Sequence, residues 1–261
     1  MKIGIIGFGY VGSAIGWAHR HDDIVIHDPK MPDSVGKAEM LDCDGIYVCV
    51  PSPETEDGHC DSSILENTLR DLLLVSLRND IPIICKTTAP PSVYEHLHKM
   101  YPNIVYCPEF LTARNHISDY HKTEVFILGG EVEHCERARD VISQSNVVHK
   151  NCLITDIKTA SLFKYMMNSY LATKVTFMND FKKLADIHDV EWNQLKELAR
   201  YDTRIGTSHM DVPGPDGEYG WGGACFPKDI AAIQMEALDL GTELELLGRV
   251  EDINKKHRKM K

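Results

Sequence analysis

The 261-residue sequence predicts an α/β chain, a doubly wound parallel sheet followed by an all-helical segment. Three observations carry this. Short apolar runs alternate with helix-compatible stretches through the first half, as in sheets covered by helices on both faces. A glycine-rich turn stands between the first apolar run and the first helix. From about Asn151 that alternation stops, and Thr155 to about His188 contains neither glycine nor proline. The expected division is a sheet domain over residues 1–151 and a helical domain over 152–261.

Composition agrees with a globular protein of one large or two ordinary domains. The chain is 43% hydrophobic and 26% charged, which suits a chain that buries a core. A net charge of −11 argues against nucleic-acid backbone binding as the main task. Met1-Lys2-Ile3-Gly4 enters a strand directly, no signal-peptide pattern is present, and no apolar run reaches membrane-spanning length. The eight cysteines form no C-x-x-C pair and no zinc-like grouping with the histidines, so no metal is expected. They read as reduced thiols of a cytoplasmic protein.

Taken in order, Lys2 to Ile6 is a short strand. Gly7-Phe8-Gly9-Tyr10-Val11-Gly12 opens a helix that runs to about His19, and Asp23 to His27 is the next strand, ending at Asp28. Strand, glycines, helix, strand and acid in this sequence form a dinucleotide-binding fingerprint, hence a Rossmann-like sheet. Gly7 makes the tight turn, Gly9 lets a pyrophosphate approach the backbone, and Gly12 packs helix on strand. Asp28 would accept from an adenosine ribose and repel a 2′-phosphate, favouring NAD over NADP. Lys30 would soften that discrimination.

Gly45 to Val50 is a buried strand closed by Pro51-Ser52-Pro53, which would shape the cofactor groove. Ser63 to Leu77 reads as a helix. Pro82 to Lys86 is a strand that ends in Thr87-Thr88-Ala89-Pro90-Pro91. Ile104 to Cys107 is another, followed by Pro108-Glu109-Phe110-Leu111. Val125 to Leu128 and Val147-Val148 complete the alternation. Ligands of such sheets bind beyond the carboxyl ends of strands, where Thr88 and Glu109 fall. Glu109 alone could equally cap a neighbouring helix.

In the helical half, the long helix is apolar on most faces (Leu162, Met166, Tyr170, Phe177, Phe181 and Leu184 among others), and packing against a copy of itself is expected. Lys164 and Asn168 share one face at i, i+4, where a lysine and an amide can hold an oxyanion or move a proton. Trp192 to Ala199, Ile230 to Leu240 and Leu244 to His257 read as further helices. Asp202 to Gly206 and the Pro/Gly-rich loop His209 to Gly217 have the arginine and glycines to wrap an anion.

That loop leads into Gly220-Trp221-Gly222-Gly223-Ala224-Cys225-Phe226-Pro227-Lys228-Asp229. Pro227 suits a first helical turn, so Cys225 stands just ahead of a helix N-terminus, which favours its thiolate. Gly222 and Gly223 leave room for a substrate at the backbone. A lone cysteine in such a place is more often a buried, inert thiol. The glycine pair, Lys228 and Asp229 favour a nucleophile.

With these stretches in hand, the chain resembles the UDP-glucose/GDP-mannose (nucleotide-sugar) 6-dehydrogenases. The matches are Gly7–Gly12, Val50–Pro53, Lys86–Pro91, Pro108–Leu111, Lys164–Lys174, Arg204–Gly206 and, most specific, Gly222–Asp229. The resemblance implies oxidation of a nucleotide sugar, UDP-glucose foremost, at C6 to the carboxylate with two NAD per turnover, in a homodimer. It implies that Cys225 forms a thiohemiacetal and then a thioester, and that Lys164 and Asn168 hold the oxyanion. Asp229, Glu109 and Thr88 would handle water and protons. Gly7, Gly9, Tyr10, Val11, Gly12, Asp28, Pro51, Thr88 and Lys228 would line the cofactor. Glu109, Phe110, Leu111, Lys164, Asn168, Arg204 and Gly222 would line the substrate.

Two departures stand out. Ala113 occupies the place of the family's second glutamate. The family also carries a third domain after the helical one, whereas this sequence stops just past the connecting helix, as in a short form. A two-electron β-hydroxyacid-type dehydrogenase and a non-catalytic NAD-binding remnant are the alternatives. The former needs no counterpart of Cys225.

Overall fold

The computed structural model describes residues 1–75, 81–147 and 151–260, and these group into two compact units. The first comprises Met1–Thr55 and Cys60–Lys164, the second Glu56–His59 and Tyr165–Lys261. Their boundary falls inside a helix at Lys164/Tyr165 rather than at the expected 151/152.

The first unit is built on a seven-stranded sheet of β1 (Lys2–Ile6), β2 (Asp23–His27), β3 (Gly45–Val48), β4 (Ile83–Cys85), β5 (Ile104–Tyr106), β6 (Val125–Gly129) and β7 (Asn151–Thr155). The order is β2-β1-β3-β4-β5-β6-β7. Every pairing is parallel except β5 with β6. The chain leaves β1 toward one edge through β2 and then resumes on the other side of β1 with β3. That reversal is a topological switch point, where the carboxyl ends of β1 and β3 frame a crevice. The final strand is a correction to the sequence reading: it begins at Asn151, not Val147. Val147 is a buried bend residue, and Val148 lies outside the described residues, as does Leu77, the expected end of the helix that opens at Ser63.

Successive side chains of the central strands feed opposite cores, as the two-residue period requires. Ile46, Val48, Ile83, Cys85, Ile104 and Tyr106 pack on one face with α2 (Ser63–Val75) through Leu65, Leu69 and Leu72, and with α3 (Pro91–Met100) through Tyr94 and Leu97. Ile3, Ile5, Tyr47, Ile84 and Val105 pack on the other with α1 (Tyr10–Ala18) and α5 (Val132–Ser143). Tyr120 of α4 (His116–His121) joins them. Both faces are thus covered, which is why these strands are apolar throughout rather than alternating. Each fully buried leucine contributes about 2 kcal/mol by area.

The long helix α6 spans Ile157–Ile187. Ala160, Lys164, Asn168, Ala172, Val175, Met178, Asn179 and Ala185 are buried along it. Leu162, Met166, Tyr170, Phe177, Phe181 and Leu184 form a second stripe that is 45–56% exposed in the single chain. The second unit continues with α7 (Trp192–Arg200), α8 (Phe226–Asp239) and α9 (Glu245–His257). A cluster of Met178, Ala185, Trp192, Met210 and Val212 forms one of its cores. Among the described residues no helix is long and apolar enough to cross a membrane.

Candidate functional site

At the switch point the glycine turn adopts the conformation its spacing predicts. Gly7 has φ +86°, and a Cβ there would lie 2.7 Å from the Cys49 carbonyl oxygen at the end of β3. A Cβ on Gly12 would overlap the carbonyl oxygen of Gly7. Beside Gly9 there is open space, with nothing within 4 Å of a built Cβ. Tyr10 is exposed and Val11 half-buried at the start of α1. The turn is tied to β2 by Gly7 N–H donating to His27 O at 2.9 Å.

Asp28 supports this turn directly. Its Oδ2 accepts from Phe8 N–H at 2.7 Å and its Oδ1 from Lys30 N–H at 2.9 Å. Those two backbone donors, Phe8 first, hold the Asp28 carboxyl below its ordinary range. Each carboxylate oxygen retains a further lone pair for a hydroxyl donor. Open space over Gly9, a positive-φ Gly7 and an ionised acid at the end of β2 fit a dinucleotide.

The turns after β3 and β4 are stitched together. Ser52 Oγ donates to Thr88 O at 2.6 Å, and Thr87 Oγ1 donates to Val50 O at 2.8 Å. Thr88 is thereby buried at the carboxyl edge of the sheet, while Pro51 is exposed.

Glu109 follows β5 and does not cap a helix. Its Oε2 accepts from Leu111 N–H at 2.7 Å, and its Oε1 lies 3.3 Å from Lys164 Nζ. Lys164 Nζ also donates to the Glu109 backbone carbonyl. The ammonium sits 5.1 Å from the ring centroid of Phe110, a residue that is 41% exposed. Lysine and acid form a pair whose side chains are 4% and 11% exposed, so each supplies the other's counter-charge. Ala113 has no acid to offer, and its carbonyl accepts from His116 Nδ1.

A second cluster forms in the other unit. Asn168 Nδ2 donates to Asp229 Oδ2 at 2.6 Å, and Lys228 Nζ donates to Asp229 Oδ1 at 2.6 Å. Asp229 N–H closes the first turn of α8 onto Cys225 O at 3.0 Å. Cys225 is the N-cap residue of α8, which starts at Phe226 with Pro227 in its first turn, as the sequence predicts. Cys225 is exposed; four of the other cysteines are buried and three half-buried. Burial pushes the thiols of Cys43 and Cys49 up to about 11 and about 12.

One expectation about this loop is modified. Open space exists beside Gly223 but not Gly222, where the Arg258 guanidinium lies against the backbone. Arg204 is 87% exposed, and its guanidinium grips Asp202. Sequence reasoning missed Lys174, whose buried Nζ donates to the carbonyls of Ile205, Gly206 and Ser208 and so holds the Arg204 loop. Burial lowers its pKa. A lysine in an apolar helix with no acid one turn away was the available signal.

Comparison with known proteins covers most of the chain. Residues 31–149 match the NAD binding domain of the UDP-glucose/GDP-mannose dehydrogenase family, and residues 158–256 match its central domain. YtcA of Bacillus subtilis (strain 168), provisionally named a UDP-glucose 6-dehydrogenase, is 28% identical over 97% of this chain and 67% of its own length. The structure of a UDP-glucose dehydrogenase from the archaeon Pyrobaculum islandicum aligns with a TM-score of 0.81 at 23% identity, covering 98% of this chain and 68% of that one. A 3-hydroxyisobutyrate dehydrogenase of Mycobacterium tuberculosis aligns at 0.77 and 16% identity, covering 99% and 95%. At such identities the two structures speak for the fold alone. The chain spans about two thirds of the first two proteins.

Proposed function

Because this chain belongs to the UDP-glucose/GDP-mannose dehydrogenase family, we propose that it oxidises the C6 alcohol of a nucleotide sugar, UDP-glucose foremost, to the uronate. NAD is the cofactor, and when bound it accepts a hydride from the sugar. Gly7, Gly9, Tyr10, Val11, Gly12, Asp28, Pro51 and Thr88 are the residues proposed to hold it.

Oxidising one carbon twice requires that the aldehyde not escape between the two steps. A thiol achieves this by adding to the carbonyl, and Cys225 is assigned that role. Its sulfur bonds to C6, the carbonyl oxygen takes a proton, and a thiohemiacetal results. Loss of the remaining C6 hydride to a second NAD, with the hydroxyl proton, would leave a thioester; water then adds at the carbonyl carbon, the C–S bond breaks, and carboxylate and thiol are released. Lys164 and Asn168 hold the oxygen that becomes negative, and Asp229, with Glu109, directs water and takes its proton. Phe110, Leu111, Arg204 and the Gly222–Gly223 turn are assigned to the substrate. Lys228, bonded to Asp229, is assigned to stabilising that carboxylate and to the cofactor.

The observation that carries this reading is Cys225, the exposed thiol at a helix N-cap, with Asp229 one turn on and hydrogen-bonded to Asn168. A homodimer is part of the proposal, and the exposed apolar stripe of α6 supports it.

The test is incubation with NAD and a panel of UDP- and GDP-sugars, counting NADH per sugar consumed. Two NADH per sugar, with Cys225→Ser halting before the uronate, is expected. One NADH per molecule of a simple β-hydroxyacid, unaffected by that substitution, would favour the alternative dehydrogenase. NAD binding without turnover of any of these would favour a non-catalytic protein.

A further inference from the structure

The residues just ahead of Cys225 are fixed by side chains of α6 and α9 rather than by a backbone ladder. Asn254 Oδ1 accepts from Trp221 N–H at 2.7 Å, and Asn254 Nδ2 donates to Trp221 O at 2.9 Å. Gly220 N–H donates to Asn179 Oδ1 at 2.9 Å, and the Trp221 indole donates to Thr176 Oγ1 at 3.0 Å. Asn254, Asn179, Thr176 and Trp221 are all buried. A Cβ on Gly220 would overlap the Asn254 amide, so its positive φ and this contact both demand glycine. One turn along from Asn254, Arg258 lies over Gly222.

We propose that Asn254 is a positioning residue for Cys225, its amide acting as the template that sets where the cysteine turn begins. A carboxamide offers one donor and one acceptor side by side, which matches the N–H and C=O of a single residue. Aspartate would set an oxygen against Trp221 O, and alanine would leave two buried backbone groups unpartnered. Asn254 touches no reacting atom. Its effect reaches the sulfur through Trp221 and the Gly222-Gly223-Ala224 turn. The catalytic half of this inference rests on the nucleotide-sugar reading above; the placement of the thiol does not.

The experiment compares Asn254→Ala and Asn254→Asp with the unaltered chain. The pH profile of iodoacetamide alkylation at Cys225 is followed by peptide mass spectrometry, with NAD affinity, kcat and KM measured alongside. Expected are a displaced alkylation profile, unchanged NAD affinity, and a kcat lower on the order of 100-fold with KM moving little, the signature of a misplaced reacting group. Folded variants with unaltered alkylation profile and kcat would overturn the proposal. If neither variant folds, amide exchange in the unaltered chain decides: protection of Trp221 N–H equal to the interior of α6 supports the template, and exchange at the rate of an exposed loop refutes it. If no sugar is oxidised, the alkylation profile still reads the template, so failure of the reaction and failure of the template are separable.

Discussion

The side-chain amide of Asn168 and the carboxylate of Asp229 meet at 2.6 Å, and both residues are buried. One of the two amide hydrogens is committed to this bond, so Asn168 brings one remaining N–H to any oxyanion. Asn168→Ala removes a buried donor and leaves Asp229 Oδ2 without it, at a cost of about 1–3 kcal/mol. In a double-mutant cycle with Asp229→Ala, measured by urea denaturation, the pair is expected to be coupled by more than about 0.5 kcal/mol. Additive losses would mean that the two side chains act independently.

The glycine turn makes a contrast testable by one substitution at each of two positions. Gly9→Ala places its methyl in open space, so thermal stability is expected to stay within about 0.5 kcal/mol of the parent. NAD affinity should nevertheless fall, because the methyl occupies the approach of the pyrophosphate. Gly12→Ala drives a methyl into Gly7 O and should lose stability by about 1–3 kcal/mol as well as NAD binding. Calorimetric melting with an NAD titration reads both.

Asp28 gives a pH dependence with a definite sign. Its folded-state pKa lies below the reference 3.8, through the N–H groups of Phe8 and then Lys30. The ionised form is therefore favoured by folding. Its stabilisation is fully present above the unfolded value and is lost as pH falls through the lower, folded one. Asp28→Asn is expected to melt earlier at neutral pH, by about 1 kcal/mol for a partly exposed site. The gap between parent and variant should stay constant from about pH 7 to 5 and narrow below about pH 4. A gap that widens toward acid would contradict this.

Charges placed on the exposed stripe of α6 test the homodimer. Met166→Glu combined with Phe177→Glu should raise the dimer dissociation constant at least tenfold, about 1.4 kcal/mol, by sedimentation equilibrium. NAD affinity should be unaltered. A parent chain that sediments as a monomer at every concentration would remove the dimer from the proposal.

Much of this was legible in the sequence because local chemistry dictated it. Gly7 and Gly12 are where they are because a side chain at either has nowhere to go, and strand, glycines and acid follow one another in about twenty-five residues. What escaped was non-local. Glu109 and Lys164 are 55 residues apart, and nothing in either segment specifies that they pair. Val147-Val148, two β-branched residues, reads more readily as a strand than Asn151-Cys152-Leu153-Ile154-Thr155, whose polar ends disguise an edge strand. The antiparallel pairing of β5 with β6 leaves no mark on composition. Nothing local singles out Asn254 and Arg258 in a polar, basic stretch, although one is buried and the other fills the space beside Gly222.

The uneven exposure of the eight cysteines has a practical side. A bulky maleimide dye added at one equivalent should attach first at residue 225, since the remaining sulfurs are wholly or partly shielded. The unmutated polypeptide thus comes with a built-in attachment point, and a fluorophore there would report on the N-terminal turn of α8 without any cysteine being engineered in or out.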